Sequence, residues 1–239
     1  MIAYLMAAGN GLRLRPMTTE IQKCLLPVGG KPMLEWWLDA VFASECFDRV
    51  YVNLHHMADQ VEEWLDEYQI MRNRKVLKID ERKKLLGTAG TLFYHAESNQ
   101  EFMSAYTDTF SYEVFSCLPR MIDNWSREDQ DMVAGLVTFE SPKDGSTGNL
   151  IVNRRKTVIE FAEKRTNEGL AWSGVLFGRT DFFNYLRKED RDLASQVLPR
   201  LVERMKVVAH VEAYDIGRGV ECYEQFNRNF KKPGSISSY

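Results

Sequence analysis

The amino-acid sequence predicts a single-domain α/β fold, with a mostly parallel, doubly wound (Rossmann-like) sheet and a small β-hairpin inserted in its C-terminal half. Short apolar runs alternate with longer amphipathic segments along the 239 residues, which is typical of parallel strands connected by helices. The hydrophobic content of 44% and the charged content of 27% are ordinary for a soluble globular domain. Neither an internal repeat nor a linker rich in Pro, Gly or Ser divides the chain, so we expect one domain over residues 1–230.

The first half of the chain, about residues 1–110, shows the clearest alternation. Its pattern predicts strands at residues 2–7, 49–54, 76–79 and 102–107, and helices at residues 33–42, 58–68 and from about residue 85. A long loop joins the first strand to the first helix and ends near Pro32. The strand at 102–107 is apolar over most of its length, so we expect it at the centre of the sheet, with Asp108 at its carboxyl end.

The second half, about residues 111–230, is less regular. Its pattern predicts helices at residues 114–122, 182–201 and 220–230, and strands at residues 132–139, 171–177 and 207–211. Pro142, Gly145 and Gly148 mark a loop, after which the apolar runs 150–152 and 158–161 are expected to pair as the hairpin. Residues 231–239 are expected to form a frayed tail.

Charge, hydropathy and cysteine usage exclude several classes of protein. The net charge of -3 argues against a general nucleic-acid binder, which would usually be basic. No apolar run approaches the roughly 20 residues of a membrane span, and the N-terminus lacks a charged region followed by an apolar core. The four cysteines are scattered and show no zinc-ligand spacing, which predicts a reduced, cytoplasmic protein without a membrane partner.

A glycine-rich turn directly after the first strand is the strongest local signal. The apolar run ends at Ala7 and Ala8, Gly9 and Gly11 bracket a turn, and Arg13 follows at once. Glycine lets backbone N–H groups come close to a phosphate, and arginine supplies the positive charge that a polyphosphate requires. Taken alone, the same residues also fit an ordinary strand-to-loop turn.

The wider spacing resembles the signature of the sugar-1-phosphate nucleotidyltransferases, written G-x-G-x-R-L-x-P-x-T, then P-K-x-x-L-P-V, then K-P. The matching residues are Gly9, Gly11, Arg13, Leu14, Pro16, Thr18, Lys23, Leu26, Pro27, Val28, Lys31 and Pro32. Leu12 stands where the family usually has a small or hydroxyl residue, and Gln22 replaces the proline before the lysine. The resemblance implies the nucleotidyltransferase (glycosyltransferase-A-like) fold, with Arg13 and Lys23 as catalytic residues.

A second block, Gly87-Thr88-Ala89-Gly90, follows Glu81 at the start of a predicted helix. Small residues there would let a base or sugar approach the backbone, and the helix N-terminus offers unpaired N–H donors, although close helix-to-sheet packing would need the same residues. The block resembles the family's Leu-Gly-Thr-Ala-Gly segment, which contacts base and ribose. The nucleotide-binding residues that the resemblance implies are Ala7, Ala8, Gly9, Gly11, Glu81, Gly87, Thr88 and Ala89.

Two aspartates, Asp108 and Asp215, each follow a predicted strand. Carboxylates at the carboxyl ends of strands lie at the crevice where α/β sheets bind ligands, although Asp108 could instead cap a helix or a turn. The resemblance implies that both hold Mg²⁺, a hard cation that prefers oxygen ligands. Tyr106-Thr107 replaces the commoner Asn-Gly before the first aspartate, and Arg218 replaces a threonine after the second.

The acceptor side resembles the family in fewer residues. Glu163 and Lys164 match F-x-E-K-P, where the glutamate binds sugar hydroxyls and the lysine binds the sugar phosphate, although such a pair can also be a solvated strand end. Gly148 resembles the glycine of the family's Y-G-V-V segment, with Thr147 in place of the tyrosine. Gly169 lies where many members have an asparagine that reaches the sugar.

The resemblance implies transfer of a nucleotidyl group from an NTP to a sugar 1-phosphate, with a nucleotide-binding half at about 1–110 and a sugar-binding half at about 111–230. The substrates would be small molecules, and we favour GTP with a mannose- or heptose-type 1-phosphate. UTP with a sugar 1-phosphate, and CTP with phosphocholine or another non-sugar phosphate, stay open. A non-catalytic regulatory subunit that binds a sugar nucleotide is the alternative from a different class.

Overall fold

The computed structural model describes residues 1–141, 148–163 and 169–230. The helices are α1 (Met33–Ser44), α2 (Ala58–Arg72), α3 (Gly87–His95), α4 (Tyr112–Ser126) and α5 (Val220–Asn229). The first seven strands are β1 (Ile2–Met6), β2 (Pro27–Val28), β3 (Lys31–Pro32), β4 (Arg49–Leu54), β5 (Leu77–Asp80), β6 (Phe102–Tyr106) and β7 (Thr109–Phe110). The others are β8 (Ala134–Glu140), β9 (Gly148–Val152), β10 (Val158–Glu163), β11 (Leu170–Gly178), β12 (Met205–His210) and β13 (Tyr214–Asp215).

Nine of these strands form one sheet, which confirms the predicted α/β class. The order along the sheet is β10-β9-β11-β6-β1-β4-β5, and β8 pairs with β11 and β12 on the other edge of β11. The strands β6, β1, β4 and β5 run parallel, as do β8 and β12. The predicted hairpin is present as β9 and β10, which pair antiparallel.

Strand β11 departs from a purely parallel sheet, because it runs antiparallel to β6, β8 and β9. Its pairing with β8 shifts between Trp172 and Leu176, and Gly174 lies in that shift with a φ of 85°, a conformation that glycine adopts without strain. Strand β11 thereby contacts β6 with one half and the β9–β10 hairpin with the other. This joins the hairpin to the main sheet beside the carboxyl end of β6.

Both faces of the central strands are buried, which explains their nearly continuous apolar sequence. On one face of the sheet, Ala3 and Leu5 of β1 belong to a core formed with α1, α2 and α4. Ile2 and Tyr4 pack on the opposite face, against α3 and the segment 180–201. The sheet is therefore doubly wound. No helix within the described residues is long and apolar enough to cross a membrane.

The segment at residues 182–201, which the structure describes throughout and which was predicted to be mostly helical, is helical only in short turns and contains no α-helix. The chain instead makes a 3₁₀ turn at Thr180–Tyr185, a π turn at Leu193–Val197 and a 3₁₀ turn at Leu198–Leu201. The reason is local polar bonding: buried Asp190 accepts from the Arg187 backbone N–H at 2.8 Å and pairs with Arg200, which closes a tight turn where a helix would continue. Side-chain hydrogen bonds to the backbone, such as that of Asp190, compete with the backbone hydrogen bonds of a helix. The apolar residues of the segment recur at helical spacing because successive turns are buried.

The C-terminal helix packs against the beginning of the chain. The Tyr223 hydroxyl and the Asn227 side-chain amide both donate to the carbonyl of Pro27, at 2.6 and 2.9 Å. The Gly29 N–H donates to the Asn227 side-chain oxygen at 3.0 Å. Helix α5 is therefore anchored to the β2–β3 hairpin, only a few residues after Lys23. The predicted tail at 231–239 lies outside the described residues, and the division into nucleotide and sugar halves stays a prediction.

Candidate active site

The glycine-rich turn lies at the carboxyl end of β1 and is fixed from beneath by Asn53, the fifth residue of β4. The Asn53 side-chain oxygen accepts from the backbone N–H groups of Ala7 at 2.7 Å and Ala8 at 3.2 Å. Further along, Gly11 has a φ of 63°, and the Thr18 hydroxyl donates to its carbonyl at 2.7 Å. The turn is therefore a defined structure, built by residues of the motif together with Asn53, which pattern reasoning did not single out.

Glu81 supports this arrangement from inside the protein. Its side chain is only 2% exposed, and its carboxylate accepts from the Asn53 amide at 3.2 Å, the Thr91 hydroxyl at 2.5 Å and the Leu86 N–H at 3.0 Å. Direct nucleotide contact by Glu81 stays a prediction. What the structure establishes is that Glu81 holds Asn53, which in turn holds the turn.

Lys23 and Asp108 are in direct contact. The Lys23 Nζ lies 2.5 Å from the Asp108 Oδ2, although the two residues are 85 positions apart. Lys23 begins a 3₁₀ turn after the loop, and Asp108 lies two residues beyond β6, next to β1 in the sheet. The parallel pairing of β1 and β6 therefore brings the lysine and the aspartate to the same edge, as the sequence predicts.

A short antiparallel ribbon, formed by β7 and β13, adds the second aspartate. Asp215 is the strand partner of Thr109 in this ribbon, and the Ile216 N–H donates to the Asp108 backbone carbonyl at 3.0 Å. The Asp215 side chain accepts from the Gly217 N–H at 2.8 Å, which fixes its rotamer. Two carboxylates that are distant in the sequence thus come together beside Lys23.

The electrostatics of the two aspartates are opposite. Burial, together with the negative charge of Asp108, raises the pKa of Asp215 to about 6, although the positive charges of Lys23 and Arg13 act to lower it. Burial also disfavours ionised Asp108, yet the charge and hydrogen bond of Lys23 hold the pKa of Asp108 below its ordinary value. The pair therefore has an excess of negative charge that one lysine only partly neutralises.

This donor set fits a divalent cation shared with substrate. Within residues 1–141, 148–163 and 169–230, no group of three or more His, Cys, Asp or Glu side chains is placed to hold a metal. Two carboxylates alone would leave most positions of an octahedral ion for water and phosphate oxygens, which is how Mg²⁺ is commonly bound in nucleotide sites. The residues present fit Mg²⁺ better than zinc or another metal that prefers nitrogen and sulfur ligands.

A pocket of about 340 Å³ opens beside these residues. Seven of the predicted site residues line it: Ala7, Ala8, Gly9, Lys23, Gly87, Thr88 and Asp108. A larger groove of about 610 Å³ is lined by a mixture of aromatic, aliphatic and polar side chains, and among its described lining residues Asp215 alone is a predicted site residue. The smaller pocket is therefore the candidate active site. Arg13 is exposed on the 3₁₀ turn Leu12–Leu14, and its charge acts on both aspartates.

The Gly87-Thr88-Ala89-Gly90 block forms the far wall of this pocket. Gly87 has a φ of 76°, and an added Cβ would lie 2.2 Å from the Arg191 carbonyl, so glycine is required by close packing. The Ala89 N–H donates to that same carbonyl at 3.1 Å, and Ala89 is fully buried. The packing interpretation is therefore right for both residues, and nucleotide contact by Ala89 stays a prediction.

The turn at 190–192 contributes two pocket residues that sequence reasoning missed, Arg191 and Asp192. The Leu193 N–H donates to the Thr88 hydroxyl at 3.0 Å, which holds this turn against the start of α3. The prediction of a mostly helical segment at 182–201 did not mark this turn as part of the site. An Asp followed three residues later by Ser195, whose N–H donates to the Asp192 carboxylate at 2.8 Å, was the available signal of a turn.

The predicted acceptor-side residues are only partly described. Gly148 and Glu163 face each other across the β9–β10 hairpin as backbone partners. Lys164 and Thr147 lie outside the described residues. Their roles in binding a sugar phosphate stay predictions.

The chain is similar to known proteins in sequence and in fold. The sequence model of the family described as "Nucleotidyl transferase" matches residues 2–228. The chain is 27% identical over 224 residues to a UTP–glucose-1-phosphate uridylyltransferase of Synechocystis sp., which covers 85% of this chain and 55% of that protein. It is 38% identical over 91 residues to an N-acetylmuramate alpha-1-phosphate uridylyltransferase of Caulobacter vibrioides, which covers 37% of each chain.

A third relative, of Sulfolobus acidocaldarius, is provisionally named a mannose-1-phosphate guanyltransferase and is 31% identical over 112 residues, 46% of this chain and 30% of that protein. The chain thus spans about half or less of the length of these relatives. Among solved structures, HddC from Yersinia pseudotuberculosis superposes with a TM-score of 0.72 at 22% identity, over 96% of this chain and 99% of that one. The fold is therefore shared, and the chain belongs to the nucleotidyl transferase family.

Proposed function

We propose that the protein transfers a nucleotidyl group from an NTP to a sugar 1-phosphate, giving an NDP-sugar and pyrophosphate. The observation that carries this proposal is the contact between Lys23 and Asp108, with Asp215 beside them, at the mouth of a pocket that begins at the glycine-rich turn. A lysine held by a carboxylate at such a place suits a reaction in which negative charge moves between phosphates.

The chemistry needs positioning more than acid–base catalysis. An oxygen of the sugar phosphate attacks the α-phosphorus in line and forms a new P–O bond, while the bond from that phosphorus to the bridging oxygen breaks and its electron pair leaves with pyrophosphate. The attacking oxygen is already ionised, so no strong general base is needed. Lys23 would bridge the α-phosphate and the attacking phosphate, and Arg13 would neutralise the leaving pyrophosphate.

We further propose that Asp108 and Asp215 hold Mg²⁺. The ion supplies neutralisation of phosphate charge when bound. In its absence, Lys23 is the cation that the described residues place against Asp108, and it keeps that carboxylate ionised and oriented. The acceptor would lie toward the β9–β10 hairpin, where we propose that Gly148, Glu163 and Lys164 contact the sugar phosphate.

The base is the open part of the substrate. We propose GTP with a mannose- or heptose-type 1-phosphate, as the Leu-Gly-Thr-Ala-Gly block suggests. The relatives' names point to both guanylyl and uridylyl transfer. UTP is therefore the closest competitor and must be tested beside GTP.

Pyrophosphate release, measured with Mg²⁺ over a grid of nucleotides and acceptors, tests the proposal. The nucleotides are ATP, GTP, CTP, UTP and dTTP, and the acceptors are mannose, glucose, N-acetylglucosamine and heptose 1-phosphates and phosphocholine. We expect one strong combination, with GTP and a mannose- or heptose-type 1-phosphate. Strong release with CTP and phosphocholine would identify a cytidylyltransferase instead. If no combination released pyrophosphate but the protein bound NDP-sugars, it would be a regulatory subunit.

Gly217→Ala is expected to lower kcat for pyrophosphate release by about 10- to 100-fold, with little change in stability. A Cβ at Gly217 would lie 2.2 Å from the Lys23 Nζ and 3.0 Å from the Asp108 Oδ2, so it would push the flexible end of the lysine off the carboxylate. Gly219→Ala is the matched control, because its added Cβ would meet only the Arg13 carbonyl, at 3.9 Å. Equal kcat values for the two variants would contradict the prediction.

A further inference from the structure

Gln22 is the residue at which this chain departs from the family signature directly before the lysine. Its side chain is 0% exposed, although glutamine is usually found at protein surfaces. Its backbone has a φ of -62° and a ψ of 138°, which are values that a proline would also adopt. The backbone course of a proline is therefore kept, while an amide side chain has been added in the interior beside Lys23.

The Gln22 side chain connects the two segments that form the site. Its Nε2 donates to the carbonyl oxygens of Ala7 at 2.8 Å and Gly9 at 3.0 Å. Its Oε1 accepts from the Cys24 N–H at 2.5 Å, in the turn that carries Lys23. One buried amide thus uses both of its donors and its acceptor, and it holds the glycine-rich turn and the lysine turn together.

The backbone N–H of Gln22, which a proline would lack, is also used. It donates at 2.6 Å to the side-chain oxygen of Gln60 in α2, and the Gln60 amide donates in turn to the Glu20 carbonyl at 2.8 Å. The buried donor is therefore satisfied, as buried backbone groups almost always are. The glutamine is an integrated part of the interior at this position.

We propose that Gln22 is a positioning residue for the reaction, which fixes the glycine-rich turn relative to Lys23. Because a peptide unit is planar and trans, holding the Gly9 carbonyl toward Gln22 directs the N–H of Asn10 away from it. Gln22 therefore sets both the orientation of a backbone donor in the turn and the origin of the lysine side chain. This inference rests on the proposed function, since it assigns Gln22 to that same site.

Gln22→Met tests the proposal, because it keeps the length of the side chain and removes all three of its hydrogen bonds. We expect kcat for pyrophosphate release to fall by about 10- to 100-fold, with KM for the NTP changing less than threefold, since misplacement acts mainly on the transition state. Gln69→Met is the matched control: the Gln69 Oε1 accepts from the Val76 N–H at 2.8 Å, far from the site. It should lower the melting temperature without changing kcat.

Gln22→Glu separates positioning from mere filling of space. It keeps an acceptor for the Cys24 N–H but turns a carboxylate oxygen toward the carbonyls of Ala7 and Gly9, which already lie within 3.0 Å of the amide nitrogen. We expect its kcat to be lower than that of Gln22→Met. The reverse order, or a kcat for Gln22→Met equal to that of Gln69→Met, would overturn the proposal.

Amide hydrogen exchange gives a readout that does not need turnover. In Gln22→Met we expect at least about tenfold faster exchange in residues 7–11 and 23–26, and no change there in Gln69→Met. If the wild type released no pyrophosphate with any substrate pair, the proposed function would fail, whereas this exchange pattern would still support the positioning role. If the wild type is active but Gln22→Met exchanges its amide hydrogens at the wild-type rate, the positioning role of Gln22 would be overturned and the proposed function would stand.

Discussion

Lys23→Met is expected to lower kcat for pyrophosphate release by about 10²- to 10³-fold while the protein stays folded, because it removes a preorganised cation from the place where phosphate charge develops. The variant also leaves Asp108 without its partner at 2.5 Å and beside a second carboxylate. Asp108 is 26% exposed, so we expect a cost of about 1–2 kcal/mol in the free energy of unfolding. Steady-state kinetics and thermal unfolding of the purified protein measure the two effects.

Lys31→Met provides a control of unusual similarity. The Lys31 Nζ also lies 2.5 Å from an aspartate, Asp39, and 4.3 Å from the centre of the Trp36 ring, yet Lys31 does not line the pocket. Lys31 and Lys23 both match the sequence signature. The comparison therefore tests whether the effect of Lys23 depends on its position in the pocket. We expect normal kcat for this variant. A normal kcat for Lys23→Met as well would remove the basis of the proposed mechanism.

Asp215→Asn is expected to lower kcat by about 10²- to 10³-fold and to abolish stabilisation of the protein by Mg²⁺ with nucleotide. In the absence of metal, however, the variant should be more stable than the wild type. Removing one of two adjacent, partly buried negative charges relieves their repulsion, and the asparagine oxygen can still accept from the Gly217 N–H at 2.8 Å. Thermal shift with and without Mg²⁺ and nucleotide measures both effects.

The control for this second prediction is Asp66→Asn on α2. Asp66 pairs with Lys78 at 2.7 Å and is 56% exposed, so the same change of charge occurs far from the site. Its melting temperature should respond to Mg²⁺ and nucleotide as the wild type does. If Asp215→Asn kept the wild-type response, the assignment of the metal to the two aspartates would be wrong.

Much of the fold was predictable because it depends on patterns that are local in the chain. The parallel strands are buried on both faces, and the apolar runs of β1 and β6 are followed by the candidate site residues Gly9 and Asp108. The antiparallel course of β11 was not predictable, since it depends on which edge the strand joins. Within the segment 182–201, the break between its short helical turns was not predictable, because the buried Asp190 that closes this break resembles any surface charge in sequence.

The site shows the same division. The proximity of Lys23, Asp108 and Asp215 was predictable because each lies at a strand end or in a motif, and their roles in the reaction stay predictions. Asn53 and Gln22 were not recognised as supports, because a buried amide is recognised only by its partners. In sequence Gln22 was merely a departure from a proline, whereas its three side-chain bonds are what connect the two segments.

The ribbon of β7 and β13 has a consequence for how the protein acquires its binding capacity. It joins residues 109–110 to residues 214–215 by a single pair of two-residue strands, and α5 follows directly and binds back to Pro27. The carboxylate pair therefore exists only when residues 214–215 have paired with residues 109–110. A nascent or partly opened chain could carry a complete central sheet and still lack the pair. Substrate would then bind only molecules in which the ribbon has formed, and binding would shift the equilibrium away from molecules whose C-terminal segment is detached.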